Sequence, residues 1–187
     1  MEILKVKNLS FKYPGNDTNI LDDVSFNVEN GEFIVICGPT GSGKTTLLKM
    51  LKRELSPLGE KTGRILYNRI PLEDMEDRKS ASNIGFVMQN PDEQIVTDKV
   101  WHELAFGLEN LGANKQFIRR RVSEMSCWFG IENWFDKNTN DLSGGQKQML
   151  NLASVIVMNP KILLLDEPTA QLDPVTASNF ISTLIKL

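Results

Sequence analysis

Gly38-Pro39-Thr40-Gly41-Ser42-Gly43-Lys44-Thr45 is the run whose residue types and spacing carry the clearest chemistry. It is a GxxxxGK[ST] pattern, in which glycines let the backbone curl around an anion and turn its N–H groups inward. A helix opening at its end adds partial positive charge. Lys44 supplies a point charge for β- and γ-phosphates, and the Thr45 hydroxyl is suited to hold Mg²⁺. Thr46 extends the same phosphate-binding set. The loop specifies a nucleoside triphosphate site without specifying its use, since kinases, GTPases and motors all employ one.

A second chemical group follows the apolar run Ile162-Leu163-Leu164-Leu165, which ends in Asp166-Glu167. Carboxylates at the C-terminal edge of a parallel sheet stand where α/β proteins bind ligands. Asp166 is placed to reach a Mg²⁺ shell. Glu167, one residue on, faces an attacking water as general base or orienting group.

A third group is Leu142-Ser143-Gly144-Gly145-Gln146. Ser143 caps a helix, and the adjacent glycines expose backbone N–H groups at the positive end of that helix dipole, which makes a second anion-binding site.

The elements that must position these groups are legible in the hydrophobic pattern. Alternation over 3–11 and 24–28 predicts two half-buried strands, separated by the turn cluster Pro14-Gly15-Asn16-Asp17. Asn30-Gly31 predicts a hairpin turn into 32–37, a continuous apolar run that reads as a strand buried on both faces and feeds the phosphate loop. Helical spacing begins at Lys44, with Leu47, Leu48, Leu51 and Leu55 in one stripe, and stops before Pro57. Strands are predicted over 64–67 and 84–88, with a turn at Asn68-Arg69. From about 92 to 140 the pattern is helical, with segments 100–111 and 117–129 broken by Gly112 and Gly130, so a separate helical subdomain is expected. The chain then returns to an α/β pattern: a helix over 144–158, a stop at Asn159-Pro160, a buried strand over 161–165 and a helix from Pro174.

Composition narrows the partners. With a net charge of -3 the chain has no strong positive field for phosphate backbones, so nucleic acid is not expected as a partner. Arg119-Arg120-Arg121 reads as a solvated helix face, and His102 as a helix-surface or packing residue. Cys37 and Cys127 fit no metal or redox spacing and read as buried, reduced thiols. No apolar run approaches the ~20 residues of a membrane helix, so any membrane role requires another chain to span it.

The three groups together make the chain resemble the ATP-binding cassette (ABC) family, over essentially its whole length. The resemblance implies an α/β fold: a P-loop NTPase (RecA-like) core with an N-terminal antiparallel β subdomain and an inserted α-helical subdomain. Residues 1–187 are then one ATPase domain, with 1–90 and 142–187 forming the core and β subdomain and 91–141 the helical signature subdomain. ATP and Mg²⁺ are the implied cofactors. Tyr13 matches the family's adenine-stacking aromatic, with a strand-end packing role as its competitor. Gln89 matches the glutamine that contacts Mg²⁺ and water. Ala170-Gln171-Leu172-Asp173 corresponds to a loop that crosses between subunits, although Ala170 and Gln171 depart from the commoner Ser-Ala. The implied assembly is a head-to-tail homodimer or heterodimer of two such ATPases, in which Ser143, Gly144, Gly145 and Gln146 close over the partner's nucleotide.

Gln89-Asn90-Pro91-Asp92-Glu93-Gln94-Ile95, with Trp101-His102-Glu103 beyond it, is similar to the ATPases of energy-coupling factor importers. That likeness implies transmembrane transporter subunits as partners, a peripheral position on the cytoplasmic face of the cell membrane, and a vitamin or metal ion such as cobalt or nickel as cargo. Two alternatives stay open: a soluble cassette ATPase of DNA repair or translation, and a nucleotide-binding fragment without efficient turnover. The family also places a histidine on a strand after the last helix, and His102 is the sequence's only histidine. The expectation is therefore a C-terminally truncated chain that binds Mg-ATP and hydrolyses it weakly.

Overall fold

In the first strand the buried residues change parity, from Leu4 and Val6 to Leu9 and Phe11, which a regular strand cannot do. The change occurs at Asn8, whose φ of 46° makes a bulge in β1 (Glu2–Lys12). In the computed structural model, which describes residues 1–187, this bulge is matched across the sheet by Gly63. A Cβ there would lie 2.3 Å from the Asn8 carbonyl oxygen. β1 therefore puts both halves of its apolar set into one core.

β1 pairs antiparallel with β2 (Leu21–Glu29) on one side and β3 (Glu60–Tyr67) on the other, with Val6 opposite both Phe26 and Ile65. β4 (Ile70–Pro71) completes the order β2-β1-β3-β4. The β3–β4 turn is the expected Asn68-Arg69, both at positive φ, the conformation that matches strand twist in a two-residue hairpin. This sheet, with α1 (Lys44–Met50), lies in the first of two compact units, Met1–Ala81 and Ser82–Leu187.

Residues 32–37 correct the sequence reading. They form no strand, and Phe33 and Val35 are 77% and 67% exposed. Apolarity makes a segment suitable for a buried strand, but pairing requires a neighbour. The sheet of Met1–Ala81 comprises β1 to β4, and Glu32 bonds Glu29 of β2 as a turn rather than as a rung of a new ladder. α1 is also shorter than predicted, ending at Met50 before a 3₁₀ turn over Arg53–Leu55. Between them, buried Lys52 donates to the carbonyls of Ser80 and Ala81 and pairs with Glu54. Burial lowers the pKa of its ammonium, against the opposing pull of Glu54.

α2 (Asp77–Asn83) leads into the second unit, where β5 (Ile84–Val87) and β6 (Ile162–Leu165) pair in parallel from Ile84–Ile162 to Val87–Leu165. The helices are α3 (Val100–Asn110), α4 (Lys115–Phe129), α5 (Gly144–Ile156) and α6 (Pro174–Leu184). Val100, Leu104, Leu108, Val122, Leu150 and Ala153 bring α3, α4 and α5 into one apolar core. Phe180 of α6 packs with Val87, Leu152 and Val155 in another.

Two further expectations are revised. Arg121 is not a solvated side chain: its guanidinium donates to the carbonyls of Ile156 and Val157 at the C-terminal end of α5. Both cysteines are exposed rather than buried. Cys127 lies on a solvent-facing part of α4, where a hydrogen bond to Glu132 and that carboxylate's charge raise its thiol pKa.

Candidate functional site

The phosphate loop is held by its own backbone. Ser42 N donates to Pro39 O at 3.2 Å, and a Cβ on Gly38 would stand 2.7 Å from Ser42 Oγ, so the loop curls with the Ser42 side chain in the space that a side chain at 38 would need. Gly41 and Gly43 have φ of 82° and 89°. Gly43 is also pressed against the residue before β2, where a Cβ would lie 2.8 Å from the Ile20 carbonyl oxygen. It is the N-cap of α1 and provides no side-chain cap. Lys44 folds back over the loop, with Nζ 3.0 Å from Gly38 O and 3.1 Å from Pro39 O. Thr45 is half-buried and Thr46 buried. The Thr46 hydroxyl is 3.1 Å from the Tyr13 hydroxyl, and the Tyr13 ring stands edge-on to Phe11 at 4.9 Å. Tyr13 is thus joined to the loop and anchored to the core of β1.

In the second unit, β6 delivers Asp166 and Glu167 to the edge of the parallel pair. Asp166 N donates to Val87 O, extending the ladder one residue, and its side chain is buried. Glu167 is exposed and adopts a φ of 43°. This left-handed conformation costs a non-glycine residue about 1–2 kcal/mol. It leaves the Glu167 carboxylate 3.0 Å from Gln89 Nε2, which donates to Oε2 across 78 residues of sequence. Of the predicted site residues, Gln89, Asp166 and Glu167 are therefore brought to the same end of β5 and β6.

Ser143-Gly144-Gly145-Gln146 opens α5 as a reciprocal capping box. Gln146 N donates to Ser143 Oγ at 3.3 Å, and Ser143 N donates to Gln146 Oε1 at 2.9 Å. The Ser143 hydroxyl accepts in this arrangement and keeps its own proton to donate. Gly144 has open space where a Cβ would be, whereas a Cβ on Gly145 would lie 2.4 Å from Thr176 Cγ2. Thr176 is in turn held by Asp173, the N-cap of α6, which accepts from Val175 N, Thr176 N and Thr176 Oγ1. The Thr176 hydroxyl, then the backbone bonds, hold the Asp173 carboxyl below its ordinary pKa.

The donor set fits a nucleotide phosphate, because the loop combines a curled backbone, an uncapped helix start and an ammonium. No group of three or more His, Cys, Asp or Glu is gathered as a metal-binding cluster. That is compatible with Mg²⁺, which needs only one or two protein oxygens when phosphates and water supply the rest. Sequence reasoning passed over Gln148 and Asn151, buried polar residues of α5 that reach the segment carrying Gln89. Their signal was present: both fall on the helix face shared with apolar residues.

The comparisons with known proteins agree with this geometry. A family model described as "ABC transporter" matches residues 21–170. The chain is 48% identical over 183 residues to a Bacillus anthracis protein named as an ABC transporter ATP-binding protein, covering 98% of this chain and 33% of that one. It thus spans about a third of the length of that curated relative. It is 38% identical to the energy-coupling factor transporter ATP-binding protein EcfA1 of Staphylococcus aureus, covering 99% of this chain and 68% of the relative. Among solved structures, CbiO1 of Clostridium perfringens, part of the ABC transporter complex cbiONQ, superposes with a TM-score of 0.85 at 38% identity, over 99% of this chain and 73% of that one. The ATP-binding cassette MJ0796, in a dimeric post-hydrolysis state bound to ADP and Pi, gives a TM-score of 0.82 at 28% identity, over 99% and 82%.

Proposed function

We propose that this chain, which belongs to the ABC transporter family, binds Mg-ATP and hydrolyses it to power a membrane importer. The observation that carries the hydrolytic part is the Gln89–Glu167 contact at 3.0 Å beside buried Asp166. Lys44 and the loop N–H groups bind the β- and γ-phosphates, and Tyr13 presents its ring to the base. Thr45, Asp166 and Gln89 would hold Mg²⁺, which would supply neutralisation of charge on the phosphate oxygens. Glu167 accepts the proton of the attacking water, and Gln89 holds the carboxylate and that water in register.

Assembly is part of the same reading. The two ATPase subunits meet head to tail, and Ser143, Gly144, Gly145 and Gln146 serve the γ-phosphate held by the other subunit. The dimeric structure of the MJ0796 cassette supports this. No helix is long and apolar enough to cross a membrane. The likeness to EcfA1 and CbiO1 supports transmembrane partners that carry the transport pathway, with this chain on the cytoplasmic face. The same likeness supports an importer of a vitamin or metal ion. Turnover of these 187 residues alone is proposed to be weak. Their one histidine, His102, stacks on Trp101 and lies 3.4 Å from Glu109 on α3.

Glu167→Gln tests the assignment. ATP affinity should persist while turnover falls by at least about 100-fold, the scale of a lost general base. Turnover at the unsubstituted rate would remove Glu167 from the role.

A further inference from the structure

The segment that carries Gln89 is fastened to α5 by side chains that the proposed mechanism does not use. Gln148 Nε2 donates to Met88 O at 3.2 Å, Asn151 Nδ2 donates to Pro91 O at 3.4 Å, and Lys147 Nζ lies 2.5 Å from Asp92 Oδ1. From its other side, Gln94 accepts from Met88 N at 2.8 Å and donates to Phe86 O at 3.0 Å. Met88 is therefore held through both its N–H and its carbonyl, and Pro91 through its carbonyl. Gln89 and Asn90 span the gap between those fixed points.

The amides on α5 are poor choices for stability. Gln148 and Asn151 are 1% and 0% exposed, yet Gln148 Oε1 and Asn151 Oδ1 have no hydrogen-bond partner. A buried unpaired acceptor is costly, and an apolar residue of similar size would pack without that penalty. What the amides provide is a directed N–H toward the backbone on either side of Gln89. Resting on the ATPase reading above, we infer that Gln148 and Asn151 are positioning residues for Gln89. They fix the 88–91 backbone to the helix that Ser143 caps, so that the Gln89 amide meets Glu167.

The test uses the full chain and the Gln89 side-chain ¹⁵N amide resonance, assigned by its loss in Gln89→Ala. Glu167→Ala marks where that resonance falls when the carboxylate contact is absent. Gln148→Met is expected to move the resonance toward that position with the thermal midpoint unchanged or raised. ATP affinity should hold within about twofold while turnover at saturating ATP falls by about 10-fold to 100-fold, the range for misplacing a catalytic group. In a Gln89→Ala background the same substitution should cost nothing more. A Gln89 resonance that stays in place, or losses that multiply in the double variant, overturns the inference. Should Gln148→Met fail to fold, Asn151→Leu is measured by the same criteria. A chain that neither binds nor turns over ATP would end the ATPase reading, and the resonance would still decide the positioning role.

Discussion

The starts of α1 and α5 are two solutions to one problem. Every helix leaves its first N–H groups without intrahelical partners. At α5 the sequence supplies one partner from within, the Ser143 hydroxyl for the Gln146 N–H, while Gln146 returns a bond to the Ser143 N–H. At α1 the cap is Gly43 in a left-handed conformation, which offers no side-chain cap, and Lys44 adds a positive charge on the same turn. A self-capped start is a stable helix end that can still lend one hydroxyl proton. On the ATPase reading proposed above, the start without a side-chain cap takes the phosphates of this chain's own nucleotide.

Substitutions at the two starts should therefore have opposite signatures. Lys44→Ala removes a charge-assisted contact, so ATP affinity measured by titration should fall by roughly 10-fold to 100-fold with little change in melting temperature. Gly43→Ala should destabilise by about 1–3 kcal/mol, because its backbone is left-handed and the new Cβ meets the Ile20 carbonyl oxygen at 2.8 Å. Gly144→Ala, with open space around it, is the control and should melt as the unsubstituted chain does. Equal effects at 43 and 144 would break the contrast. Ser143→Ala should cost about 1 kcal/mol in denaturant unfolding and leave ATP affinity of the isolated chain unchanged.

The smallest effect concerns the third cap, Asp173. Its folded-state pKa lies below its unfolded value, so the unfolded chain binds more protons in the window between the two. Stability from this carboxylate is complete above the unfolded pKa and is lost as pH falls through the depressed folded one. Asp173→Asn should flatten that part of the acid-unfolding profile. A profile with the original slope would show that the three bonds to Asp173 contribute nothing measurable at this exposed position.

The same contrast explains what could be read from the sequence. The phosphate loop, the capping box and the acidic strand end were legible because each is local: its residue types, spacing and flanking pattern sit within a few positions. β6, α4 and the Asn68-Arg69 turn were legible for the same reason. α2 was missed because Asp77-Arg78-Lys79-Ser80-Ala81-Ser82-Asn83 has no apolar stripe to announce a helix. The bulge at Asn8 depends on Gly63, and the Gln89–Glu167 bond joins residues 78 apart, so no local window contains either relation. The run 32–37 was misread because apolarity reports what a segment could bury and not which strand it pairs with.

The left-handed backbone of Glu167 has a consequence for anyone who evolves or engineers this protein. A library selected only for heat resistance should drift at position 167 toward glycine or asparagine, which accept that conformation easily. Every such gain would discard the carboxylate. Melting temperatures would improve along the way, and the resulting chain would be a durable scaffold with the hydrolytic role proposed for Glu167 erased. Position 167 should be frozen before any stabilising campaign begins.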